Sequence, residues 1–492
     1  MNGMVAFAAA VTGLAVAGCC CFCGGDYPET VDEGFVSLFN GKDLSGWTGA
    51  TGMYGVEQIK MKLNNGTETT VPVLACFSER EDKGQPGNLI TEKEYRNFIL
   101  RFEFMMPENG DSGLGIRVPD ASVDAAYGGM CEVQLLDDGG ALYYDSSNKV
   151  DRLEPYRYAG SVFGVVPSRR DNFDRQIWGK EKNFTGGGSY IRKPGMWNFG
   201  EVKVVGGEIE VYMNGYLVTR ADVSKFKGDG DTPDHREHPG LHNAKGHIGW
   251  CGHSSPVKWK NIRIRELPDD AKMGEVSPWQ SMEPPAGFKA CFNGSPKQLA
   301  TNWKGVTPEE QFDNPFVRQA ATPEKRALMQ KIANLGMANH WSVRNGNLFF
   351  DGFRGGYSLA TKEDYADFEM WCDWRTMSVT GDSGLYLRGS PQVQIWDAHN
   401  QWGIGSGGLY NNKKNPDKPS KIADRPVGDW NRFHVIMRGE KVTVWLNGEL
   451  VVDDVTLENY WDRSKPIFPK EQIELQCHGD PIEWRNVFIR EL

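Results

Sequence analysis

Trp259-Lys-Asn-Ile-Arg-Ile-Arg-Glu-Leu267 alternates apolar and polar side chains, and it returns at the end of the chain as Trp484-Arg-Asn-Val-Phe-Ile-Arg-Glu-Leu492. Alternation of period two is the mark of a half-buried strand. Working outward from these stretches, five further blocks recur in the same order. Val211-Tyr-Met-Asn-Gly-Tyr-Leu-Val218 returns as Val444-Trp-Leu-Asn-Gly-Glu-Leu-Val451, and Glu132-Val-Gln-Leu-Leu-Asp137 as Gln392-Val-Gln-Ile-Trp-Asp397. Asp111-Ser-Gly-Leu-Gly-Ile-Arg117 returns as Asp382-Ser-Gly-Leu-Tyr-Leu-Arg388, and Glu94-Tyr-Arg-Asn-Phe98 as Asp364-Tyr-Ala-Asp-Phe368. Phe35-Val-Ser-Leu-Phe-Asn-Gly-Lys-Asp-Leu-Ser-Gly-Trp47 returns as Phe288-Lys-Ala-Cys-Phe-Asn-Gly294, with Trp303 following after a small insertion. Six blocks in one order make a tandem repeat.

Each block reads as a strand or hairpin. Asn214-Gly215 and Asn447-Gly448, set between alternating hydrophobics, are strong hairpin signals. The fold class expected is therefore all-β: two tandem antiparallel sandwiches. The repeats are bounded at 30–267 and 287–492, with a Pro-rich, acidic linker over 268–286. One short helical insertion is expected in the second repeat, starting with Thr322 as N-cap and Pro323 as its first residue and running to Ala333. The first repeat carries a longer insert from Tyr143 to Lys193 instead.

The 492 residues carry a net charge of -10, and no basic stripe with interleaved aromatics is present. Phosphate binding needs clustered Lys and Arg, so a nucleic-acid partner is excluded. Sixteen Trp suit either sandwich cores or stacking on sugar faces. Residues 1–25 form a leader in which Met4 to Gly18 is an uncharged Ala/Val/Gly run, closing in Val16-Ala17-Gly18-Cys19. It is similar to a bacterial lipoprotein signal with Cys19 as the lipidated residue, though Met1 to Met4 lacks the usual basic residue. The alternative is a membrane helix, since the run approaches the roughly 20 residues that span a bilayer. The lipoprotein reading places the chain in an exported bacterial cell envelope, touching membrane only through the lipid. Ten Cys show no zinc-type pairing outside that leader, and some could form disulfides in an envelope compartment.

Strand periodicity sorts the candidate site residues by face. Asp111, Gly113, Gly115 and Arg117 point one way, opposite Ser112, Leu114 and Ile116. Glu132 and Gln134 point out, while Val133 and Leu135 point in. Glu474, Gln476 and His478 share a face in the second repeat, and His247, Cys251 and His253 are grouped in the first. Any half-solvated sheet has a polar face. Here, however, acid, Arg, amide and His recur at matched places, and Gly113 and Gly115 leave room beside them. Such a lining suits a polyhydroxy ligand, with Trp396 beside Gln394 as a stacking surface.

These blocks, taken together, resemble the 3-keto-disaccharide hydrolase family, also described as 3-keto-glucoside lyases and 3-keto-2-hydroxyglucal hydratases. The resemblance covers both repeats. It implies concanavalin A-like jelly-roll sandwiches and an oxidised (3-keto) glycoside or disaccharide as substrate. It also implies elimination across carbons 1 and 2 followed by hydration. The roles implied are Glu132 or His253 as base, Arg117 as oxyanion stabiliser, and Asp111 orienting Arg117 or binding a hydroxyl. Gln134 would bind substrate. The second-repeat counterparts Asp382, Arg388, Gln392, Gln394, Trp396, Gln476 and His478 would bind sugar. A divalent metal ion held by His and carboxylates could polarise the ketone, although the five His from His235 to His253 match no metal signature and His235, His238 and His242 read as a solvated loop. Glu132 is replaced by Gln392 and Cys251 by Gln476, so the repeats are not equal sites. A non-catalytic sugar-binding protein and an envelope scaffold are the alternative functions.

Overall fold

The computed structural model describes residues 34–492, apart from 78–86, 124–125, 149, 171–187, 254, 276–281 and 354. The leader and its Cys19 lie outside the described residues. Among the described residues no helix is long and apolar enough to cross a membrane. Each repeat is a sandwich of an eight-stranded and a five-stranded antiparallel sheet. The all-β jelly-roll expectation is met.

The two large sheets share one strand order. In the first repeat the central strands are Phe98–Met105 and Lys258–Glu266, and in the second Phe368–Thr376 and Pro481–Glu491. The decisive closing block thus lies mid-sheet in both repeats. The small sheets match as well. One runs Trp47–Gly49, Leu89–Tyr95, Gly246–Gly252, Asp111–Val118, Cys131–Leu136. The other runs Trp303–Gly305, Leu359–Thr361, Glu474–Leu475, Asp382–Leu387, Ser390–Trp396.

Alternation puts one side chain in two into the space between sheets. Leu114, Ile116, Val133, Leu135, Trp250 and Trp259 fill the first core, with the two indoles stacked at 4.9 Å. Leu385, Val393, Ile395, Leu475, Trp374 and Trp484 fill the second. Trp47 and Trp303 are equivalent in bonding too: each indole N–H donates to a backbone carbonyl, of Leu38 at 2.6 Å and Cys291 at 3.1 Å. Both Asn-Gly turns have positive φ at both positions (50° and 87°, 54° and 84°), which the tight hairpin requires. The six cysteines among the described residues are free and buried, so none forms a disulfide.

The helical insertion is more extensive than expected. Pro296–Asn302 and Pro315–Ala320 are helical, and the main helix runs Pro323–His340 rather than stopping at Ala333. Thr322 caps it, its side chain accepting from the Lys325 N–H at 3.2 Å. Extension past Ala333 brings the helix against the Trp303–Gly305 edge strand. Asn334 accepts from the Gly305 N–H at 3.0 Å, and Gln330 donates to the Gly305 carbonyl at 2.9 Å. An edge strand with free backbone groups is thereby covered.

Candidate active site

The outer face of each small sheet carries the matched polar side chains. Ser112 is buried and donates to the Cys251 carbonyl at 2.8 Å, and Ser383 donates to the Gln476 carbonyl at 2.7 Å. These bonds fix Cys251 and Gln476 at equivalent places. Cys251 pairs with Gly113, which pairs with Gln134, so three strands meet at the first site.

Glu132 is 4% exposed and Cys251 1%, whereas the His253 side chain is 35% exposed. His253 Nε2 lies 3.9 Å from Glu132 Oε1. A Cβ on Gly113 would come within 1.9 Å of that oxygen, so the glycine makes room for the carboxylate. Gln134 donates to Asp111 at 2.8 Å. Burial pushes the Asp111 carboxyl above its usual range, with the neighbouring Glu132 adding to the rise against His253 and the Gln134 hydrogen bond. Burial and then Glu132 hold the Cys251 thiol well above its ordinary value. The candidate ligand atoms of Glu132, Cys251 and His253 lie within 4.8 Å of one another, so this group could hold a metal ion. Carboxylate, thiol and imidazole are donors that suit a borderline-soft divalent cation, and a cation there would reverse the unfavourable burial of the acid beside the thiol.

The second face keeps the geometry but has the amide of Gln392 in place of the Glu132 carboxylate. Gln394 donates to Asp382 at 3.0 Å, as Gln134 does to Asp111, and Gln392 donates to Gln394. His478 Nδ1 is 3.1 Å from Asp382 Oδ2. Among the described residues the buried Oε1 of Gln476 has no hydrogen-bond partner. Trp396 is 5% exposed and packs on Trp402 and Tyr410, with ring centroids 4.5 and 4.9 Å away. Tyr410, not Trp396, is the exposed ring of that cluster.

Several expectations need correction. Arg117 does not face Glu132. Its φ of 52° breaks the strand alternation, and its guanidinium donates to the carbonyls of Arg96, Gly206 and Asn243 at 2.7–3.1 Å. Arg388 repeats this with a φ of 49°, donating to the Pro469 carbonyl at 3.2 Å. Both arginines tie a strand end to neighbouring loops, so neither stabilises an oxyanion on the sheet face. His247 is separated from Cys251 and His253 by a register shift before Gly249 and pairs with Glu94 and Val118 instead. His238 is buried rather than solvated, 3.1 Å from Asp234.

Two groups bearing on the site escaped the sequence reading. Tyr143 and Arg157 come from the first-repeat insert. Burial and then the nearby Asp111 raise the Tyr143 phenol, and Arg157 acts on both Tyr143 and Asp111. Arg157 ends the short Pro155–Arg157 helical turn and is exposed. The only sequence signal for them was the insert itself.

The fold and this face define a class: a tandem β-sandwich protein with one acid-, amide- and imidazole-lined sheet face per repeat. The chain belongs to the 3-keto-alpha-glucoside-1,2-lyase-like domain family, whose pattern matches residues 34–265 and again 287–490. It is similar to a 3-keto-disaccharide hydrolase of Bacteroides thetaiotaomicron, 24% identical over 260 residues, covering 48% of this chain and 79% of that protein. A solved structure from Parabacteroides distasonis, a provisionally assigned glycosyl hydrolase, is 23% identical with a TM-score of 0.34, covering 47% of this chain and 99% of that one. Carbohydrate-binding module CBM66 from Bacillus subtilis is 12% identical with a TM-score of 0.20, covering 29% of this chain and 86% of that one.

Proposed function

We propose that the first repeat cleaves 3-keto-glycosides or 3-keto-disaccharides by elimination across carbons 1 and 2, followed by hydration. The observation that carries this is the buried Glu132 carboxylate beside His253, in the space left by Gly113. A ketone at carbon 3 acidifies the hydrogen on carbon 2. Glu132 takes that proton, and the electron pair passes to the ketone oxygen as an enediolate. His253, beside Glu132, and Arg157, whose charge acts on Asp111, are the basic side chains near the carboxylates, and they hold that charge. The carbon 1 substituent then leaves with a proton, giving a carbon 1–carbon 2 double bond. Water adds its hydroxyl to carbon 1 and a proton to carbon 2, completing net hydrolysis. Asp111, held by Gln134, accepts a substrate hydroxyl. A divalent ion held by Glu132, Cys251 and His253 would be an alternative to these roles rather than an addition to them, since it would occupy the base and the imidazole while supplying Lewis-acid polarisation of the ketone.

In the second repeat Gln392 and Gln476 leave no carboxylate or thiol at the matched positions. That face binds sugar without turning it over. The Cys19 leader supports a placement in the bacterial envelope, where exported glycosides are met. The test is incubation with a 3-keto-glucoside in heavy water. Aglycone release with deuterium at carbon 2 is expected. Binding without release or exchange would replace the enzyme with a sugar-binding protein.

A further inference from the structure

The same row across the small sheet is built differently in the two repeats. In the first, Thr48, Ile90, Gly249 and Gly115 stand side by side across four strands. Ile90 is closed over by Val118, Met130 and Cys251, a small apolar cluster. In the second, the equivalent row is Lys304, Ala360, Glu474 and Tyr386. An apolar plug has become a line of titratable groups with a small residue between Lys304 and Glu474. Buried ionisable groups oppose folding unless paired, so such a line marks a functional site more often than a structural one.

The row opens at Lys304 into a cleft of about 430 Å³, roofed by the helical insertion that the first repeat lacks. Its walls include Arg318, Arg326, Thr307, Gln319 and Asp364. The charges there are unevenly used. Arg318 pairs with Glu471 at 2.8 Å, and Arg326 donates to the Ala321 carbonyl at 2.6 Å. The Lys304 Nζ has no hydrogen bond or ion pair with the described residues, although burial disfavours its charged form. Glu474 is fully buried and bonded to Gln472 at 2.7 Å, so it does not reach across to neutralise the lysine. Burial and then Glu471 lift the Asp364 carboxyl at the cleft wall, against Lys304 and Arg318.

From this we infer that the cleft is a second ligand site, at the Lys304 edge of the small sheet and distinct from the Asp382, Gln394 and Gln476 group, which takes a monoanionic polyhydroxylated ligand of single-sugar size, a hexuronate. Lys304 receives the carboxylate. Thr307, Gln319 and Asp364 meet the hydroxyls, and Phe312 and Met329 supply the apolar floor. The volume lies within the range of small-molecule pockets and is ample for one sugar ring. The inference is independent of the chemistry at Glu132.

The test is calorimetric titration of the full chain with glucuronate, glucose and acetate. Glucuronate should bind at least tenfold more tightly than glucose, which lacks the charge, and than acetate, which lacks the hydroxyls. Lys304→Met and Lys304→Gln should each weaken glucuronate at least tenfold with the thermal midpoint kept, and Lys297→Gln, at an exposed lysine outside the cleft, should not. Absence of glucuronate binding overturns the inference. So does binding that survives both Lys304 variants, or binding that falls as far in Lys297→Gln.

Discussion

Gly113 and Gly384 occupy the same place in the two repeats but have different neighbours. A Cβ at Gly113 would meet Glu132 Oε1 at 1.9 Å, whereas one at Gly384 would meet the Val393 carbonyl at 3.0 Å and Gln476 Oε1 at 3.2 Å. Gly113→Ala should therefore turn the Glu132 carboxylate out of position without unfolding the sheet. A misplacement of about 1 Å costs on the order of 100-fold in rate. The expected outcome is a fall of that size in kcat/KM for 3-keto-glycoside cleavage, with Gly384→Ala close to wild type. At this scale the sequence was informative wherever period two holds, as for Asp111, Glu132 and Gln134. It misled at Arg117 and Arg388, because a residue with φ near 50° leaves the alternation and nothing in the residue type announces that. Tyr143 and Arg157 were not legible for another reason. They approach the site from an insert with no repeat partner, so neither periodicity nor alignment of the repeats could locate them.

The Pro323–His340 helix shows what sequence says about an element and what it leaves to packing. Its start was legible in Thr322 and Pro323, a side-chain cap followed by a residue with no N–H to lose. Its end was not, because the last turns are held by Asn334 and Gln330 on Gly305 rather than by a stop signal. Thr322→Ala should cost about 1 kcal/mol, the usual worth of such a cap. Chemical denaturation should show a lower midpoint with an unchanged slope. The strands of the repeat blocks were legible because both copies repeat the same alternation. The His247 to Gly249 register shift was not, since a bulge adds a residue without changing composition.

The two sandwiches meet through the outer faces of their large sheets. Trp197, Phe199 and Val73 of the first repeat pack with Phe349, Met377 and Val427 of the second. Around them runs a buried charge network. Arg101 holds Glu201 at 2.7 Å and Asp429 at 3.0 Å, Arg375 holds Glu483 at 2.7 Å, and Arg375 lies 3.4 Å from Glu201. Burial alone would raise the Glu201 carboxyl, but Lys203, Arg101 and Arg375 overturn that and hold it far below its ordinary value of 4.5. A carboxylate depressed in the folded state contributes stability that is complete above its unfolded value and lost as pH falls towards the folded one. The thermal midpoint should therefore drop steadily below about pH 4.5. Glu201→Gln should remove that part of the acid sensitivity and lower stability at neutral pH by about 3–5 kcal/mol, because it leaves buried cations unpaired. None of this network could be read from the repeat, which describes each sandwich but not the faces by which they join.

The inequality of the repeats is the central claim, and cleavage by single-site variants of the full chain tests it most directly. Glu132→Gln gives the first repeat the residue found in the second at Gln392. Loss of this base should lower kcat for aglycone release from a 3-keto-glucoside by about 10²- to 10⁴-fold, with substrate binding retained. His478→Ala, on the second face, should leave kcat unchanged. Release that survives Glu132→Gln, or that falls in His478→Ala instead, would contradict an active site in the first repeat.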